Sequence, residues 1–117
     1  MTVTGIDHVQ VAAPAGCEAE ARAFYGGLLG LEELPKPEPL VARGGCWFRA
    51  GAQELHVGVE DPFTPARKAH PGLVVADLDA LAARLTGAGI AVVWDDAIPG
   101  TKRFHAADPF GNRLEFR

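Results

Sequence analysis

Serine is absent from the chain. That excludes every mechanism built on a serine nucleophile and leaves metal, acid–base or cysteine chemistry. Cysteine is scarce: only Cys17 and Cys46 are present, with no CxxC spacing. The pair reads as reduced cytosolic thiols. Cys46 has no adjacent base or helix N-terminus to activate it as a nucleophile. No run of 18 apolar residues exists, so no membrane span is expected. An excess of positive charge is also missing. Eleven Lys and Arg stand against fifteen Asp and Glu, a formal net charge of −4. Nonspecific binding to nucleic acid or to an anionic membrane is therefore not expected. Met1 to Gly5 carries no basic n-region and opens no long apolar run, which argues against a secretory signal and for a cytoplasmic protein.

What is present suits one globular domain. A chain of 117 residues with 48% apolar content can bury a real core. Gly5 to Ala13 alternates, with Val9, Val11 and Ala13 on one face and His8, Gln10 and Ala12 on the other. Pro14-Ala15-Gly16 punctuates it. A helix is expected over residues 17 to 29, with Cys17, Ala21, Phe24 and Leu28 as its apolar stripe and Gly30 as its stop. Leu31 to Leu34 reads as a short strand. Pro35, Pro37 and Pro39 make a stiff loop. Strands follow at about Val41 to Ala50 and Gln53 to Val59, turning at Gly51-Ala52.

The same order then repeats. Residues 60 to 69 read as a linker. His70 to Ala76 is the next expected strand, and Asp77 is a good N-cap. Leu78, Leu81, Leu85 and Ala88 stripe the second helix, which Gly87 and Gly89 end. Strands are expected at Ile90 to Trp94, Lys102 to Ala107 and Asn112 to Arg117, with Asp108-Pro109-Phe110-Gly111-Asn112 as the last turn. Each copy is thus βαβββ, and the fold class is α+β. The domain runs over 1–117, with one module at about 1–60 and the other at about 70–117. Two small sheets with helices on their outer faces complete one another.

Four residues occupy matching places in the two copies. His70 follows His8 by 62 positions, and Glu115 follows His56 by 59. In each strand the opposite phase is apolar: Val9 and Val11; Leu55, Val57 and Val59; Leu73 and Val75; Leu114 and Phe116. His8, His56, His70 and Glu115 therefore fall on the uncovered faces. Three imidazoles and a carboxylate suit a divalent ion such as Zn, Ni, Fe, Co or Mn. They do not suit calcium or a magnesium cage, which want oxygen.

Other side chains surround these faces. Arg67 and Lys68 precede His70 and can hold a carboxylate or phosphate of a substrate; a solvated linker is the plainer account. Trp47 and Trp94 are candidates to shape a pocket, although aromatics at strand spacing more often sit in cores. Arg103 and His105 share a strand phase, and Arg103 is a further candidate to bind substrate. His105 is a candidate general acid or base, because imidazole titrates near neutrality. Glu54 shares the phase of His56 and is a candidate base.

These segments resemble the vicinal oxygen chelate superfamily, which includes glyoxalases, bleomycin-resistance proteins and ring-cleaving dioxygenases. The likeness runs from about Gly5 to Arg117. It is carried by Gly5-Ile6-Asp7-His8-Val9, Phe24 to Leu31, Glu54-Leu55-His56-Val57, His70 with Val75 to Asp79, and Asp108 to Phe116. The resemblance implies paired modules forming a cup around a divalent metal that holds adjacent substrate oxygens. It maps the ligands to His8, His56, His70 and Glu115. It implies an isomerase- or lyase-like enzyme acting on a small oxygenated substrate. Glyoxalase I-like members commonly carry Glu where His56 stands, so His56 counts against lactoylglutathione lyase activity. Fosfomycin-resistance relatives use a set resembling His8, His70 and Glu115, which keeps a thiol transferase open, as well as a small dioxygenase. A binding or resistance module without chemistry is the other reading. Many short members are homodimers whose cups take one module from each chain.

Overall fold

The computed structural model describes residues 2–117. The chain divides into two compact units, Met1–Thr64 and Pro65–Arg117. Each holds a four-stranded mixed sheet, so the α+β class read from the sequence is the one found.

In the first unit β1 (His8–Ala13), β2 (Glu32–Leu34), β3 (Cys46–Ala50) and β4 (Gln53–Val59) lie in the order β1-β4-β3-β2. β1 runs parallel to β4 and the other pairs are antiparallel. Strand alternation sends Phe48, Leu55, Val57 and Cys46 to the covered face, where all are buried. Phe24 and Tyr25 pack there, with the Tyr25 ring 5.8 Å from that of Phe48. Each such ring removed from water stabilises the unit by about 1.5–3 kcal/mol.

Two elements of this unit differ from the sequence reading. The helix expected over 17–29 keeps α geometry only at α1 (Glu18–Ala21) and widens into a π-helical stretch over Arg22–Leu28. Leu29 N–H accordingly donates to the Phe24 carbonyl, five residues back. Gly26 and Gly27 are poor helix formers, and they loosen the four-residue ladder in this stretch. The strand expected from Val41 starts only at Cys46. Glu38–Arg43 instead winds into a 3-10 turn with Pro at its start. Gly44 and Gly45 then reverse the chain at positive φ. A Cβ on Gly45 would stand 2.0 Å from the Val57 carbonyl oxygen, so only glycine fits.

In the second unit β5 (Gly72–Leu73), β6 (Val93–Trp94), β7 (Phe104–Ala107) and β8 (Arg113–Phe116) take the order β5-β8-β7-β6. β5 is parallel to β8. The strands expected over His70–Ala76 and Ile90–Trp94 each shrink to two residues, as Pro71 removes a ladder donor at the first. Phe104, Leu114 and Phe116 are buried on one face. α2 (Leu78–Gly87) buries Leu81, Ala82 and Leu85. Asp77 caps it, its carboxylate accepting from the Ala80 N–H at 3.0 Å.

Candidate metal centre

The β7–β8 hairpin sets the site of the second unit. Asp108 closes its turn: one carboxylate oxygen accepts from the N–H groups of Phe110 and Asn112, and the other from the Asn112 amide. That fixes the register in which His105 lies opposite Glu115. On the other side of β8, Gly72 of β5 lies opposite Glu115. A Cβ there would meet nothing within 4 Å, so the space beside the carboxylate stays open. His70, two residues earlier, reaches the same carboxylate.

Three donor atoms converge. His70 Nε2 is 3.3 Å from Glu115 Oε1, and His105 Nε2 is 3.5 Å from it. One ligand atom from each of His70, His105 and Glu115 lies within 4.8 Å of the others. The His70 Nδ1–H donates to the Lys68 carbonyl at 2.8 Å. A carbonyl only accepts, so a neutral His70 presents its Nε2 lone pair to an oxygen lone pair. At 3.3 Å those repel unless a proton or a cation lies between. His105 Nε2 is buried and has no hydrogen-bond partner among the described residues.

The donor set fits a divalent ion. A tetrahedral centre with bonds of about 2.1 Å separates its ligand atoms by about 3.4 Å. The two separations from Glu115 Oε1 sit on either side of that value, while the three ligand atoms as a set lie within 4.8 Å, so the fit rests on the chemistry of the donors and on these two distances. A backbone carbonyl fixing the His70 tautomer is the usual outer support of a metal-ligating histidine.

Charge is arranged around this cluster. Arg103 donates from Nη1 to Glu115 Oε1 at 2.8 Å and from Nη2 to Asp95 Oδ2 at 3.0 Å. Its guanidinium is thus occupied by two carboxylates, and its buried Nε has no partner among the described residues. Burial would raise the Glu115 carboxyl, but the His70 bond and Arg103 outweigh it and hold it below the ordinary range. Burial pushes the His105 imidazole below its ordinary value, and Arg113 pushes it further the same way. Asp95 is held low by the Ala97 N–H that it accepts. Asp95 has no place in any sequence period; only the fold brings it to Arg103.

The first unit holds the other two expected ligands. Trp47, opposite His56 on β3, stacks on the His56 ring at 3.8 Å and 3°. His8 stacks on His56 at 4.3 Å and 17°. The His56 Nε2 bonds to Glu54 Oε1 and the His8 Nδ1 to Asp7 Oδ2, both at 2.9 Å. Arg67 and Lys68 are exposed on the segment before His70. Trp94 lies on the apolar phase of its sheet, against Phe104 at 5.1 Å, and not on the phase of His105.

Comparison with known proteins agrees with this architecture. A family model described as a glyoxalase-like domain matches residues 10–116. The chain belongs to the glyoxalase-like domain family. That places it in the vicinal oxygen chelate superfamily. A solved structure from Bacillus anthracis, assigned to the glyoxalase family, is 57% identical. The match covers 99% of this glyoxalase-like chain and 95% of that one, with a TM-score of 0.95. Lactoylglutathione lyase from Agrobacterium tumefaciens is 21% identical over 99% of this chain and 94% of its own, at a TM-score of 0.75. The fosfomycin resistance protein FosX from Listeria monocytogenes is 13% identical over 98% and 93%, at 0.78. The last two likenesses show the fold alone. Among curated proteins none matches. No helix of the described residues is long and apolar enough to cross a membrane.

Proposed function

We propose that this glyoxalase-like protein is a divalent-metal-dependent enzyme of the isomerase or lyase type, acting on a small oxygenated substrate. The observation that carries the reading is the meeting of His70, His105 and Glu115 around one carboxylate oxygen, with the buried His105 Nε2 making no hydrogen bond among the described residues. These three would hold the ion. When bound, the ion supplies Lewis acidity to adjacent oxygens of a substrate. The residues do the positioning. The Lys68 carbonyl holds the His70 ring with Nε2 inward. Arg103 holds the Glu115 carboxylate in place and keeps it ionised. His8 and His56, each already bonded to a carboxylate, are proposed as further donors from their matching sequence places alone. The reading places the protein in the cytoplasm, where the buried free thiols Cys17 and Cys46 stay reduced. It also retains the homodimer.

The test is a calorimetric titration of the metal-stripped protein with zinc, nickel, cobalt and manganese. One ion per chain is expected, with affinity reduced at least about 100-fold in His70→Ala. His8→Ala in the same titration reads the contribution of the first unit. Unchanged affinity in His70→Ala removes the metal reading and leaves a binding module without chemistry.

A further inference from the structure

The strand that carries Glu115 also carries two arginines in its phase. Arg113, Glu115 and Arg117 alternate on one face of the sheet, with Arg113 opposite Ala107 and Glu115 opposite His105. The three guanidinium groups near the centre are not alike. Arg103 is taken up by Glu115 and Asp95. Arg117 stands 3.6 Å from the second oxygen of Glu115. Arg113 uses its backbone N–H on the Ala66 carbonyl. Its half-buried side chain makes no hydrogen bond or ion pair among the described residues.

The charge balance follows. Arg103 and Arg117 cancel Glu115 and Asp95. Arg113 adds a positive charge whose field reaches Asp95, already bonded to Arg103, and it has no ion pair of its own among the described residues; a divalent ion would add two more. A partly desolvated guanidinium without a counter-ion is costly, and a bound anion would relieve that cost. Its planar fork matches carboxylate or phosphonate oxygens in pairs.

We propose that the substrate of this site carries an oxyanion, a carboxylate or a phosphonate, and that Arg113 binds it beside the His70–His105–Glu115 cluster. Arg113 stands two residues before Glu115 on the same face of β8, about 7 Å along the strand, within the reach of its long side chain. Arg67 and Lys68 follow directly on Ala66, whose carbonyl is bonded to Arg113, and they add positive charge for steering an anion in. The inference rests on the metal reading for the reaction, but not for the anion site itself.

The test uses the full chain, metal-free and zinc-loaded, titrated with lactate, lactamide and hydroxymethylphosphonate. Amide and guanidinium NMR shifts give the affinities. The wild type is expected to bind both anions more tightly than lactamide. Arg113→Gln is expected to weaken the anions by about 10-fold or more and to leave lactamide unchanged, with Arg113→Lys in between. The two anions separate the carboxylate from the phosphonate source. Equal binding of lactate and lactamide by the wild type, or undiminished anion binding by a folded Arg113→Gln, overturns the proposal. Should zinc not bind, the metal reading fails, and the metal-free titration still decides Arg113.

Discussion

Glu115→Gln keeps the shape of the side chain and removes its charge. Two effects follow, and they are separable. In the metal-free protein Arg103 loses one of its two carboxylates. The Glu115 and Arg103 side chains are only 8% and 14% exposed, so their pair is largely shielded from water. Breaking a buried pair costs about 3–5 kcal/mol. Arg103 keeps Asp95 at 3.0 Å, which favours the low end, about 3 kcal/mol. At about 2.1 cal/mol/K per residue, 117 residues give an unfolding entropy near 250 cal/mol/K, so each kcal/mol moves Tm by about 4 °C. The metal-free variant should therefore melt about 12 °C below the wild type. Ion binding adds the second effect. At a hundred times its Kd, an ion stabilises the wild type by about 2.7 kcal/mol, or roughly 11 °C. If the variant binds about 100-fold more weakly, the same ion concentration adds only about 0.4 kcal/mol, or roughly 2 °C. Differential scanning fluorimetry, with and without zinc, reads both. An unchanged zinc increment in Glu115→Gln would refute the placement of the centre. An unchanged metal-free Tm would refute the account of Arg103.

Two further predictions concern the first unit. Gly45→Ala places a Cβ against the Val57 carbonyl at a positive φ, and should cost at least about 3 kcal/mol in urea unfolding. Gly51→Ala, also at positive φ but in open space, should cost only about 1 kcal/mol. Glu18 accepts from the Gly45 N–H at 2.9 Å, and that bond, with the Cys17 thiol, holds its carboxyl below the ordinary value. Its contribution is full above the unfolded Glu range and is lost as pH falls through the lower folded value. The stability gap between wild type and Glu18→Gln, measured by urea unfolding at pH 7 and pH 3.5, should therefore narrow at the lower pH.

The duplicated βαβββ order was legible because its signals are local. Alternation marks a strand from its own residues, and Leu78, Leu81 and Leu85 mark α2 in the same way. Asp77 was legible as a cap because capping spans three residues. What was illegible depends on neighbours distant in sequence. Nothing in residues 41–45 announces that Gly45 must pass against Val57. Nothing in residues 22–28 requires a π-helical ladder, which the packing of Tyr25 on Phe48 accompanies. At the site, the shared phase of Arg103 and His105 was readable. The partners were not. Asp95 turns Arg103 from a free cation into a fixed brace, and this leaves Arg113 as the available one.

The matching places of the four expected ligands conceal a physical difference between the copies. In the second unit His70 has its Nδ1–H on a carbonyl, and its Nε2 faces the same oxygen as His105 Nε2. That arrangement is relieved by a proton or a cation between them. In the first unit each imidazole already faces a carboxylate of its own, Glu54 for His56 and Asp7 for His8. Trp47 and His8 both stack on the His56 ring. His56 thus already has a carboxylate partner, whereas His105 Nε2 makes no hydrogen bond among the described residues. Duplication conserves which residues stand at a register position. The neighbours of each position then decide whether a histidine there is a satisfied base or a donor with a vacant lone pair.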